Sequence, residues 1–168
     1  MPISIYNYEK SKMPLILEIT KNTSLRNLKD GYYLDNDWQH GPNTLIVFLK
    51  NSEERFFVDE IKGFVKEYIE ANPLDKGYLE EKQALYKEKQ KTLVEVEYRE
   101  NVDVNLLYEH GEVISRPRKS GIYNSRQHRK AFDTYRCKLN EIYLKMMDTY
   151  QNLSSIERAH FFYINFVL

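Results

Sequence analysis

One cysteine, Cys137, stands in a chain of 168 residues. A lone thiol excludes an intramolecular disulfide framework and a zinc centre built on cysteine clusters, and it suits a reducing cytoplasm. The six glycines, Gly31, Gly41, Gly63, Gly77, Gly111 and Gly121, never fall into a G-x-G-x-x-G or Walker spacing, so the sequence offers no phosphate-cradling loop. An H-E-x-x-H pair and a carboxylate-rich calcium loop are also missing. His40, His110, His128 and His160 sit in different segments, so no metal ion or other cofactor is implied. No apolar run approaches the roughly 20 residues of a membrane-crossing helix. The opening Met1-Pro2-Ile3-Ser4 lacks the basic and apolar regions of a secretory signal. Neither sign of charge prevails, with 25 Lys+Arg against 25 Asp+Glu.

Aromatic residues, by contrast, are abundant. Fourteen tyrosines and eight phenylalanines carry much of the apolar content, which predicts a core with polar tips or a wet binding cleft. At this length a single domain, residues 1–168, is expected. It divides into a sheet-and-helix part over 1–100, a long loop over 101–124 and a helical hairpin over 125–168.

The hydrophobic pattern supports that division. Ile3 to Tyr8 reads as an opening strand with Ile3 and Ile5 on one face, and Met13 to Leu28 as a helix with Pro14 in its first turn. A second strand starts at Tyr32-Tyr33-Leu34. Gly41-Pro42-Asn43 turns the chain into Thr44–Leu49, the most β-branched run present, so the two strands form a hairpin. Asp59 to Ala71 is an amphipathic helix stopped by Asn72-Pro73. Leu79 to Leu93 is a second, more charged helix, and the alternating Val94-Glu95-Val96-Glu97-Tyr98 reads as a strand. The loop that follows has a short strand near Val113. Ser125 caps a long helix to about Tyr150, and Ser154 with Glu157 forms a capping box opening a last helix. The fold class expected is α+β: an antiparallel sheet, ferredoxin-like in its first half, covered by helices on one side, with two C-terminal helices.

Candidate functional residues fall in three places. Between Arg116 and Lys138 there are eight cations and one acid, Asp133. Arg116, Arg118, Lys119, Arg126 and Arg129 are therefore candidates for gripping an acidic peptide or a polyanion. The plain alternative is a solvated loop followed by a helix with a charged outer face, its stripe of Phe132, Tyr135, Leu139, Ile142, Tyr143, Met146 and Tyr150 turned inward. Cys137 lies one step off that stripe, which fits an inert, half-buried thiol. Asp35, Asp37 and His40 surround Trp38, raw material for acid–base chemistry and equally ordinary for a turn. Lastly, the run Phe161–Leu168 must dock, either on the chain's own sheet or in a partner.

The segment from Tyr33 to Phe48, with Trp38, Gly41 and Pro42, resembles the lantibiotic dehydratase C-terminal, or thiopeptide-type bacteriocin biosynthesis, family. Asn72-Pro73 and Arg158, near the start of the last helix, extend the resemblance. It implies action on ribosomally made peptides, whether glutamate elimination, joining of dehydroalanines or aminoacyl transfer from tRNA. This chain has Asn43 where the family turn has a histidine, and aliphatic residues where the family's next strand alternates arginines. It is also shorter than a typical member. A subunit of a split lyase or a reduced, non-catalytic homologue follows, binding a precursor peptide or partner enzyme, with a homo-oligomer or a tRNA contact as further partners. A stand-alone binding or inhibitory module is the alternative, and a nucleic-acid-binding domain using the 116–138 segment is the second alternative.

Overall fold

A computed structural model describes residues 2–28, 31–49, 54–97, 102–116 and 125–157, with the backbone alone at 54 and 55. Arg118, Lys119, Tyr98, Arg158 and the run Phe161–Leu168 lie outside the described residues.

The sheet is built from β1 (Ile3–Tyr6), β2 (Tyr32–Asp37), β3 (Asn43–Phe48) and β4 (Val113–Ser115) in the order β2-β3-β1-β4. All neighbours are antiparallel. Ile3 lies opposite Ile46 on β3 and Ser115 on β4, while the hairpin pairs Tyr32 with Phe48 and Asp37 with Asn43. Helix α1 (Met13–Asn22) links β1 to β2, and α2 (Glu54–Ala71) with α3 (Lys76–Val96) links β3 to β4. Each link skips over one intervening strand, which is the split βαβ topology of ferredoxin-like folds.

Side chains alternate across a strand, and here the alternation sorts them cleanly. Ile3, Ile5, Tyr32, Leu34, Ile46, Phe48 and Val113 share one face with Leu15 and Ile19 of α1 and with Phe57, Ile61 and Val65 of α2. Phe48 stacks on Phe57 with ring centroids 5.4 Å apart. Each such side chain contributes about 1.5–3 kcal/mol by leaving water, and this face is the main core. Tyr33 and Val47 point the other way. β3 is thus apolar on both faces, as its sequence predicts.

Two expectations are corrected. Val94–Val96 is not a strand but the last turn of α3, which Glu97 caps through its N–H to the Leu93 carbonyl at 3.0 Å. The alternating valines share no buried face, since Val96 is 66% exposed, so nothing holds the segment extended. The fourth strand is instead Val113–Ser115, where the short strand was expected.

The second correction concerns α4 (Arg126–Gln151), capped by Ser125 Oγ accepting from the His128 N–H at 3.2 Å. The apolar stripe predicted to turn inward faces solvent: Tyr135, Leu139, Ile142 and Tyr143 are exposed, and Phe132 borders on it. The buried residues are Asp133, Cys137, Asn140 and Met147. Cys137 packs on Tyr33 and Val47, the sheet face away from α1 and α2, so the helical cover is not confined to one side. Met147 joins the main core, and α4 thereby straddles the β2 edge. After it, the expected capping box forms: the Ser154 N–H donates to Glu157 Oε2 at 2.8 Å.

Candidate functional site

β2 is an edge strand, and backbone groups on a bare edge need partners. The Leu34 N–H donates to Asn140 Oδ1 at 3.1 Å, and the Leu34 carbonyl accepts from Arg136 Nη2 at 2.8 Å. Asn140 and Arg136 stand four residues apart, so they project from one helix face. One turn earlier, the Tyr33 hydroxyl donates to Asp133 Oδ1 at 3.3 Å. Arg136 also pairs with Asp35 at 3.2 Å and lies over the Tyr33 ring at 5.2 Å. The inner face of α4 is therefore a polar seam fitted to the strand edge. That fit commits the opposite face to the outside.

Beside this contact an open groove of about 780 Å³ runs between the start of α1, the β2 edge and α4. Ile16, Leu34 and Met147 supply apolar lining, Leu139, Ile142 and Tyr143 line its α4 wall, and Lys12, Arg136 and Asp35 bring charge. Lys12 Nζ donates to the Asn43 carbonyl at 3.0 Å. Burial lowers its pKa to about 8, against the opposing pull of Asp37.

The residues singled out from sequence are dispersed. Arg116 is an internal brace: its guanidinium lies over the rings of Tyr6 (5.2 Å) and Tyr108 (5.6 Å) and donates to the Gln39 carbonyl at 3.1 Å. It also faces Asp37 at 3.9 Å, with only 15% of its side chain exposed, and burial pulls its pKa down to about 10. Arg126 is exposed and Arg129 half-exposed in the first turn of α4.

Around Trp38 the two acids of the turn are met by arginines. Asp35 and Asp37 meet Arg136 and Arg116, while the two ring nitrogens of His40 meet the Leu106 carbonyl and the Gln39 amide. Trp38 is half-buried, and its indole N–H donates to Glu97 Oε1 at 2.8 Å. His40 has φ 63° and Gly41 φ 118°, and a Cβ on Gly41 would sit 2.5 Å from the Tyr8 hydroxyl. Pro42 is buried, its carbonyl accepting from the Asn7 N–H at 3.0 Å. Trp38, Gly41 and Pro42 thus shape a turn. That turn is held by Gln90, whose Oε1 accepts from the His40 N–H at 2.6 Å and whose amide donates to the Asp103 and Leu106 carbonyls, both at 3.2 Å.

Close by, tyrosines gather at the end of β1. The Tyr8 hydroxyl donates to the Tyr108 carbonyl, Tyr78 donates to the Tyr8 carbonyl, and Tyr86 meets Tyr8 edge-on. Burial first, then Glu109, pushes the Tyr8 hydroxyl far above its ordinary range. His110 Nδ1 accepts the Tyr8 N–H at 3.3 Å, and burial lowers the imidazole pKa. Among the described residues no group of three or more His, Cys, Asp or Glu is placed to hold a metal, and no helix is long and apolar enough to cross a membrane.

Sequence reasoning missed Lys12, and it counted Arg136 only as one of many cations. A readable signal existed for the second: Asp133, Cys137, Asn140, Leu144 and Met147 repeat by fours and threes, a second seam beside the apolar one. For Gln90, one of two glutamines in a Glu- and Lys-rich helix, there was none. No protein-family model and no curated protein sequence matches the chain.

Proposed function

We propose that the chain is a non-catalytic, cytoplasmic component of a ribosomal-peptide maturation system of the lantibiotic and thiopeptide kind, and that it holds a precursor peptide or a partner enzyme on the outer face of α4. The observation that carries this reading is the exposed apolar stripe of α4, with Tyr135 at 59% and Ile142 at 56%. Contiguous apolar surface of this sort marks an interaction site. The resemblance around Trp38, Gly41 and Pro42 supports the pathway. The internal engagement of Arg116 and Arg136 counts against a polyanion site that needs them free.

The test is co-elution and calorimetry of the purified chain with the precursor peptides and modifying enzymes encoded beside it. Binding to one of them is expected. A chain that binds none of these products, while unfolding cooperatively and thus intact, overturns the reading.

A further inference from the structure

The outer stripe has a finer pattern than exposure alone. Phe132, Tyr135, Leu139, Ile142 and Met146 are spaced three, four, three and four, the repeat that lets one helix seat against another. The stripe extends along about 21 Å of helix axis, at 1.5 Å per residue. An extended strand is the less suitable occupant, because the β2 edge at Leu34 is already taken by Asn140 and Arg136.

The charges beside the stripe select among helices. The positions flanking a three–four seam decide which partner it accepts. Here Arg129 lies on one flank and Lys138 and Lys145 on the other, with no carboxylate among the flanking positions of the helix. Arg136, also on the first flank, is held by the Leu34 carbonyl and Asp35 and takes no part. The three acids of α4 lie elsewhere: Asp133 is buried under Tyr33, Asp148 pairs with Lys21 at 2.6 Å, and Glu141 pairs with Lys145 at 2.9 Å between exposed side chains, a weak contact that an incoming carboxylate can replace. Self-association is disfavoured on the same ground. Antiparallel pairing of two copies through this seam sets Lys138 against Lys145 of the second copy, and a parallel pair gives those lysines no carboxylate to meet.

We infer that the outer seam of α4 is a docking site for an acidic amphipathic helix of another polypeptide, with apolar residues at three–four spacing and carboxylates on both flanks. This rests on the reading of the chain as a docking component and adds the chemistry of the occupant. Apolar burial supplies the affinity, and the cations supply selectivity that weakens as salt rises.

The probes are two synthetic helices of about three heptads with leucine along the seam, one flanked by glutamates and one by lysines, labelled and titrated by fluorescence anisotropy. The glutamate-flanked helix binds at least about tenfold tighter. Lys138→Glu with Lys145→Glu, both at exposed positions, reverses the preference, and Ile142→Ser abolishes binding of either probe; circular dichroism checks that each variant is folded. Equal affinity for the two probes, no binding of either, or a homodimer that Ile142→Ser dissociates would each overturn the inference. A precursor or enzyme that binds the wild type and is lost in Ile142→Ser, while the two probes bind equally, leaves the broader reading standing while this one falls.

Discussion

The Leu34 N–H donates to Asn140 Oδ1 at 3.1 Å across the edge of β2. This contact and its companion from Arg136 to the Leu34 carbonyl orient a 26-residue helix by its polar side. Hydrophobic burial usually chooses which face of a helix turns inward. Here unsatisfied strand-edge groups, costly when buried without partners, chose instead.

Asn140→Leu therefore tests the orientation of α4. It leaves the Leu34 N–H buried without an acceptor, at a cost of about 1–3 kcal/mol. Urea unfolding reads this as a lowered midpoint, and Asn140→Asp, which keeps an acceptor, should lose less. A Leu variant as stable as the wild type removes the edge contact from the account.

Gln90 holds three backbone groups with one side chain. Gln90→Leu keeps the volume, strands the His40 N–H and takes one donor from the Asp103 and Leu106 carbonyls, which keep the Leu106 N–H and the His40 ring. A loss of about 1–3 kcal/mol is therefore expected from the one unmet group. Hydrogen exchange should rise at His40 and Tyr108, whose amides lie at this junction. Loss of stability without that local exchange contradicts the assignment.

Gly41→Ala meets both a positive φ and the Tyr8 hydroxyl. About 1–3 kcal/mol of destabilisation follows from the backbone strain alone. Tyr8→Phe introduced with Gly41→Ala removes the clashing oxygen, so a double-mutant cycle should show coupling between the sites. Strict additivity argues against the close approach.

Acid sensitivity follows from His110. Burial lowers its pKa below the ordinary 6.5, so between the folded and unfolded values the unfolded chain binds more protons. This contribution is complete above about pH 6.5 and is lost as pH falls from there through the folded value. The neutral ring is also the form whose Nδ1 can accept the Tyr8 N–H. Unfolding midpoints at about pH 7.5 and 5.5 should fall with acid in the wild type and change less in His110→Gln. Identical pH dependence in the two proteins rules out His110 as the cause.

Much of this architecture was legible in order along the chain. Ile3 and Ile5, the β-branched run after Gly41-Pro42, the stripe Phe57–Ile61–Phe64–Val65 and the cap at Ser125 each announce their element, because period, turn chemistry and capping are local properties. The run Val94-Glu95-Val96-Glu97-Tyr98 misled because five alternating residues fit a helix end as well as a strand, and only burial tells them apart. The candidate site was half legible. The α4 stripe could be read residue by residue, whereas its direction could not.

Sequence by itself determined most of the helices and strands, β1 to β3 and α4 among them, and the existence of an apolar face on α4, since these depend on neighbours a few residues away. Tertiary structure alone decided that this face points outward, that Arg116 is a brace and not a gripping cation, and that Gln90 staples a distant turn. The reason is that a buried N–H or carbonyl must find a partner wherever the folded chain brings one. No local pattern records where that will be.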